Sequence, residues 1–419
     1  MPEITTLANG LRVVTNAMPG LKTIACGVWV DVGARYELPE VNGVAHMLEH
    51  MAFKGTRRRS AQAIAEEIED VGGHLNAYTS REQTAYYARV LGEDMPLAID
   101  MIADILRNSV IDAGELARER TVVLQEIGQV NDTPDDLVFD LFQETAFPGQ
   151  PLGRSILGPA EIVRSMPRES LLAYMEQHYS PDRMVLAVAG QLEHARVVDL
   201  ASGLFGDMTG RPGHDFEPAS YKGGELRSER DLEQAHIILG FPAFSYRDPD
   251  FYALQVFSSL LGGGMSSRLF QEIRERRGLA YSIFSFLSCY RDGGVLGVYA
   301  GTGEDETAEL LPVIGDEILR FVERIDDVEI RRGRAQLKTS QMMALESPSA
   351  VAEDMARQLI AFERVIPTEE ILEKIDAVDQ AALRRVGERL LAGGRPTLTG
   401  LGPLAHMPDL ERLARRFTG

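Results

Sequence analysis

The stretches 11–16 and 23–32 alternate apolar and polar positions and are rich in β-branched residues, which predicts two strands near the start of the chain. Helical spacing takes over at 61–71, where Gly72-Gly73 stops it. Alternation returns at 74–79 and 84–91 and predicts a strand pair. Helical spacing resumes at 95–107, 113–130 and 136–146. A short strand at 184–189 and a helix from His194 close the first half. Residues 207–228 carry Gly, Pro, Ser and charge with little period, so the linker belongs there. The second half then repeats the order. It has a strand at 236–241, helices at 251–261 and 267–276, and strands at 280–289 and 294–300. Long helices at 304–325 and 328–345 and a late strand at 397–401 follow. This recurrence predicts a duplicated α+β unit of about 200 residues. The expected division is a first unit at 1–210, a linker at 211–228 and a second unit at 229–419.

Composition narrows the class. With 419 residues, the chain is too long for one ordinary core. Hydrophobic content of 44% and charged content of 25% are ordinary for a globular protein, and no apolar run reaches the length of a membrane span. A formal net charge of −20 argues against nucleic acid as a partner, because a binder needs a basic stripe. The acidity reads either as solubility or as an attractive field for cationic substrates. The opening residues Met-Pro-Glu-Ile-Thr-Thr show neither a signal nor a transit pattern, so the expected location is a bacterial cytoplasm. Cys26 and Cys289 stand far apart in apolar stretches and read as buried thiols.

The chemistry concentrates in His46-Met47-Leu48-Glu49-His50. The chain has only 8 histidines, so this spacing is not a by-product of a histidine-rich composition. Residues 42–45 read as a loop entering a helix, and positions i and i+4 of a helix share a face. His46 and His50 so placed can bind one Zn²⁺. Glu49 then sits beside the metal as a carboxylate free to take a proton from water, as peptide hydrolysis requires.

Two histidines do not hold a catalytic zinc, and a third ligand is expected. His74 opens a strand after Gly72-Gly73. Glu119 and Glu126 lie seven apart beside the apolar stripe Leu116, Val123, Ile127 and Val130, so they share a helix face. One acid could ligate and the other could hold a histidine's second nitrogen. Alternatively, both are solvated and pair with Arg118 or Arg120. Periodicity does not separate these readings.

Taken together, the motif 46–56, the strand 73–79 and the segment 119–126 resemble the pitrilysin-type (inverzincin) zinc peptidases, and within them the mitochondrial processing peptidase β type and its bacterial homologues. The resemblance covers essentially the whole chain. It implies an α+β fold of two duplicated α/β-sandwich units, each an antiparallel-rich sheet covered by helices, forming half of a clamshell. It implies one Zn²⁺ per chain on His46, His50 and Glu126, with Glu119 in support and Glu49 as catalytic base. Arg274 and Tyr281 resemble the Arg/Tyr pair that such enzymes carry in the metal-free unit, where it reaches towards the substrate. The same resemblance assigns substrate contacts to Phe53, to the strand positions Asn76, Ala77 and Tyr78, and to Asp136 and Asp140. Two carboxylates at i and i+4 suit a guanidinium.

The implied activity is a zinc-dependent endopeptidase acting on extended or presequence-like peptides near basic residues, in a closed chamber. Both motif sets stand in this chain, so the expected assembly is a homodimer, with a heterodimer with a paralogue as the alternative. Two further readings use the same residues or the same fold: a general peptidase that clears oligopeptides, and a non-catalytic scaffold subunit.

Overall fold

The computed structural model describes residues 2–211 and 216–417. Eleven strands form two sheets among these residues. The first sheet holds β1 (Glu3–Thr6), β2 (Arg12–Ala17), β3 (Thr23–Val30), β4 (His74–Thr79), β5 (Thr84–Leu91) and β6 (Met184–Gly190). Their spatial order is β1-β2-β6-β3-β5-β4. The β2–β6 pair is parallel and the others are antiparallel.

Both faces of this sheet are buried at its centre, so β3 and β6 are nearly continuous apolar runs, and the alternation expected at 23–32 gives way to burial on both sides. On β6, Met184, Leu186 and Val188 enter one core while Val185, Ala187 and Ala189 enter another. On β3, Ile24, Cys26, Val28 and Val30 face the first core, and Ala25 and Trp29 face the second. Alternation of side chains along a strand divides the residues between the two faces.

The second sheet holds β7 (Gly224–Glu229), β8 (Ala235–Ala243), β9 (Ser282–Cys289), β10 (Gly294–Thr302) and β11 (Thr397–Gly402). Its order is β7-β11-β8-β10-β9, again with one parallel pair, β7–β11. Strand for strand, this is the order of β2 to β6. The duplication read from the sequence is therefore present in topology, with β1 as an addition to the first sheet.

The division of the chain differs from the contiguous one expected. One compact unit comprises Met1–Gly128, Arg154–Glu217 and Met343–Val365; the other comprises Gln129–Gly153, Pro218–Met342 and Ile366–Gly419. The physical reason is a reciprocal loan of helices. Helix Pro348–Phe362, from the second half of the chain, covers the outer face of the first sheet with Val351, Ala352, Met355, Leu359 and Ile360. Helix Pro134–Ala146, from the first half, lays Leu137, Val138, Phe142 and Ala146 on the second sheet against Ile238, Val295 and Leu401. A boundary at 210 would strip each sheet of one covering layer.

The expected linker is also partly ordered structure. Residues 212–215 lie outside the described residues, but Gly224–Glu229 forms β7. Its charges at Glu225, Arg227 and Glu229 conceal the strand from a hydropathy reading and suit an exposed sheet edge. The expected helix at 267–276 is wound as a π-helix over Phe270–Arg276.

Candidate metal centre

The helix Val44–Ala52 carries the His-x-x-Glu-His motif. Its apolar positions Val44, Ala45, Met47, Leu48 and Met51 are buried in the core of the first sheet. That packing fixes the helix's rotation and leaves His46, Glu49 and His50 together on its remaining, half-buried face. The two imidazole rings lie 4.7 Å apart between centroids.

A second helix, Ala113–Asn131, brings in the carboxylates. Leu116 and Val123 anchor it in the same core. Glu126 Oε2 lies 3.3 Å from His50 Nε2 and 3.6 Å from His46 Nε2. One ligand atom from each of His46, His50 and Glu126 lies within 4.8 Å of the other two. Ligands about 2.0–2.1 Å from a tetrahedral zinc are separated by about 3.3 Å, so the donor set fits that ion. Neither His74 nor Glu119 belongs to this group.

Glu119 has a different place. It is buried, and its Oε2 accepts from His50 Nδ1 at 3.0 Å. That bond fixes the tautomer that turns Nε2 of His50 towards Glu126. Lys54 Nζ meets the other oxygen of Glu119 at 2.7 Å. Neither Arg118 nor Arg120 takes this role: Arg118 pairs with Glu115, and Arg120 donates to the Met166 carbonyl.

Burial, and secondarily the neighbouring His50, hold the His46 pKa down at about 4, so its imidazole is neutral near pH 7 and available to a metal. Burial also raises the Glu49 carboxyl above its ordinary value, opposed by hydrogen bonds to Thr79. A half-buried carboxylate on the same helix face as two histidines, with its pKa raised, is suited to receive and return a proton. Lys54 and Thr79 had no signal in the sequence. Each acts through a tertiary contact that neither spacing nor hydropathy reveals.

The remaining expected positions fall as follows. Phe53 ends the motif helix and packs against the first core. Asn76, Ala77 and Tyr78 lie on β4, the edge strand of the first sheet. The Tyr78 hydroxyl donates to Glu353 and accepts from the Trp29 indole. Asp136 and Asp140 occur one turn apart on helix Pro134–Ala146, within the second unit. Arg274 lies in the π-helix, and Tyr281 directly precedes β9 rather than opening it. The Arg274 guanidinium sits over the Tyr281 ring at 4.7 Å and over the Phe270 ring at 4.8 Å, while Tyr281 is 74% exposed.

A duplicated sheet-and-helix fold with an inverted His-x-x-Glu-His helix and a distant glutamate defines a metallopeptidase-class hydrolase. Residues 12–160 match the family model described as Insulinase (Peptidase family M16), and residues 165–337 match the one described as Peptidase M16 inactive domain. The chain belongs to peptidase family M16. It is 42% identical to the probable mitochondrial-processing peptidase subunit beta of Arabidopsis thaliana, over 99% of this chain and 81% of that protein. It is 40% identical to an uncharacterized zinc protease of Rickettsia bellii, over 96% of this chain and 97% of the relative. The crystal structure of a protease from Helicobacter pylori superposes with a TM-score of 0.90 at 24% identity, covering 96% of this chain and 99% of that one, a likeness of fold.

Proposed function

We propose that this protein is a zinc-dependent endopeptidase with His46, His50 and Glu126 as metal ligands and Glu49 as catalytic base. The observation that carries the reading is the convergence of those three donors beside the half-buried Glu49 on the same helix. Zinc bound there supplies a Lewis acid that lowers the pKa of water to roughly 7 and polarises the scissile carbonyl. Glu49 removes the proton from the attacking water and delivers it to the leaving amine. Glu119 keeps His50 oriented throughout. The names of the relatives, zinc protease and processing peptidase, agree with this chemistry.

Substrate contacts belong to the same proposal. Strand β4 has a free outer edge among the described residues, to which an extended peptide can add as a further strand through Asn76, Ala77 and Tyr78. Phe53 lines the pocket downstream of the cut. Asp136 and Asp140 favour a basic residue upstream of it, in keeping with the acidic chain. Arg274 and Tyr281, supplied by a second copy of the chain, donate to the substrate carbonyl as it gains negative charge. The assembly is then a homodimer that encloses the peptide, working in a bacterial cytoplasm. No helix among the described residues is long and apolar enough to cross a membrane. The test is a peptide-library digest by purified protein: cuts clustered near arginine support processing, and cuts spread over all sequences support clearance of oligopeptides.

A further inference from the structure

The helix that carries both histidines has only nine residues, Val44–Ala52, and a helix of that length is marginal without help at its ends. Its first N–H groups need acceptors, which an Asp, Asn, Ser or Thr at the N-cap ordinarily supplies. Here the N-cap is Gly43, which offers no side chain. The position tolerates no other residue. Gly43 has φ +96°, and a Cβ there would stand 2.6 Å from the Leu157 carbonyl oxygen.

Glu37 fills the gap from outside the helix. Its Oε1 accepts from the Ala45 N–H at 2.8 Å; its Oε2 accepts from the Gly43 N–H at 2.8 Å and from Asn42 Nδ2 at 2.7 Å. Glu37 is only 3% exposed, so these donors are its solvation. The bracket is itself braced. Arg154 donates to the Glu37 carbonyl, Asn42 donates to the Ser155 carbonyl at 3.1 Å, and Gly158 lies so close to Asn42 that a Cβ would meet its carbonyl oxygen at 2.3 Å. A carboxylate at a helix N-terminus also complements the helix dipole.

We propose that Glu37 is a positioning residue for the metal centre, acting through the first turn of the helix that presents His46 and His50. His46 is the third residue of that helix, so fraying of the first turn displaces it while His50, a turn deeper, stays in place. The pair's spacing then loses its match to one metal ion. This inference rests on the zinc reading of the site and adds to it a residue that touches neither metal nor substrate.

The test compares Glu37→Gln with Ser60→Ala in the full-length protein. Ser60 caps the neighbouring helix Ala61–Asp70 by accepting from the Ala63 N–H, so its loss is a comparable structural insult away from the histidines. Gln presents an amide N–H₂ where one backbone N–H needs an acceptor. Zinc affinity is measured by competition with a chromophoric chelator, and amide exchange at Ala45 and His46 is measured in metal-free protein. Glu37→Gln should weaken zinc binding by roughly tenfold or more and accelerate exchange at these amides. Ser60→Ala should leave affinity within about twofold and these amides unchanged. Where Glu37→Gln does not fold, Asn42→Ala removes one of the three donors and should show both effects at smaller size. Equal zinc affinity and equal exchange in folded Glu37→Gln overturn the proposal. A wild-type protein that binds no zinc sinks the metal reading instead, and the exchange result then decides the capping role alone.

Discussion

Glu119 holds the Nδ1 edge of His50 at 3.0 Å, so the other nitrogen of that ring faces Glu126 at 3.3 Å. One buried acid thus decides which atom of His50 is offered to a metal. Lys54, at 2.7 Å from the other oxygen of Glu119, holds that acid in place. Glu119→Gln should lower zinc affinity by roughly 10–100-fold without unfolding the protein, measured by chelator competition. Affinity equal to wild type would show that His50 needs no such support.

Glu49 should be separable from metal binding. In Glu49→Gln, zinc content stays at the wild-type level while peptide cleavage falls by roughly 10²–10⁴-fold, the usual worth of a general base. The measurement is metal analysis and turnover on the same preparation. Near-normal turnover by the zinc-loaded variant would remove Glu49 from the mechanism.

The reciprocal loan of helices makes a prediction about fragments. Cutting the chain at residue 210 removes helix Pro348–Phe362 from the first sheet and bares Val14, Trp29, Val185 and Ala187. That fragment should aggregate or bind a hydrophobic dye, while the intact chain does not. Within the intact chain, Leu359→Ala should cost about 2–5 kcal/mol of stability by chemical denaturation, because Leu359 is buried against that sheet face. A soluble, cooperatively folded fragment 1–210 would contradict the assignment of this helix to the first unit.

Burial pushes the Glu37 carboxyl up to about 7 from an ordinary 4.5, while Asn42, Gly43, Ala45 and Arg154 pull against that shift. An acid whose folded pKa is raised contributes stability that is full below about 4.5 and is lost as pH rises through about 7. His46, held down at about 4, has the opposite sign: its contribution is present above its ordinary 6.5 and is lost as pH falls. Comparing metal-free wild type with Glu37→Gln isolates the first effect. The wild type should lose on the order of 3 kcal/mol at most between pH 4.5 and 7 relative to the variant's own profile. Parallel profiles would show that Glu37 keeps one protonation state across the window.

The trans arrangement of Arg274 and Tyr281 can be tested by mixing. Glu49→Gln chains carry intact Arg274 and Tyr281, and Tyr281→Phe chains carry an intact metal motif. If each site draws on two copies, mixing the two impaired proteins should restore cleavage by forming one complete site per mixed dimer. Activity that is only the average of the two parents would place each site within one chain.

Much of this was legible in the sequence because it is written in local pattern. Alternation and short apolar runs marked β2 to β6, and spacing put His46, Glu49 and His50 on one helix face. The same spacing set Glu119 and Glu126 on a shared face but could not say which would ligate; a distance was needed. The helix Pro348–Phe362 has a readable apolar stripe at Val351, Met355 and Leu359, yet nothing in its period names the sheet it covers, because that is a long-range choice. Strand β7 was hidden by its charges, and the π-helix at Phe270–Arg276 by a composition that an α-helix would share. Glu37 was hidden for another reason. It caps a helix from outside, across a turn, where sequence rules look for the cap at Gly43.

The most direct test of the account is cleavage of an arginine-containing unstructured peptide by the purified protein, before and after a strong chelator and again after stoichiometric zinc. The account predicts about one zinc per chain, loss of cleavage on chelation and recovery on zinc addition. Cleavage that persists in metal-free protein, or a protein that binds no zinc at its His46-His50-Glu126 donors, would contradict it.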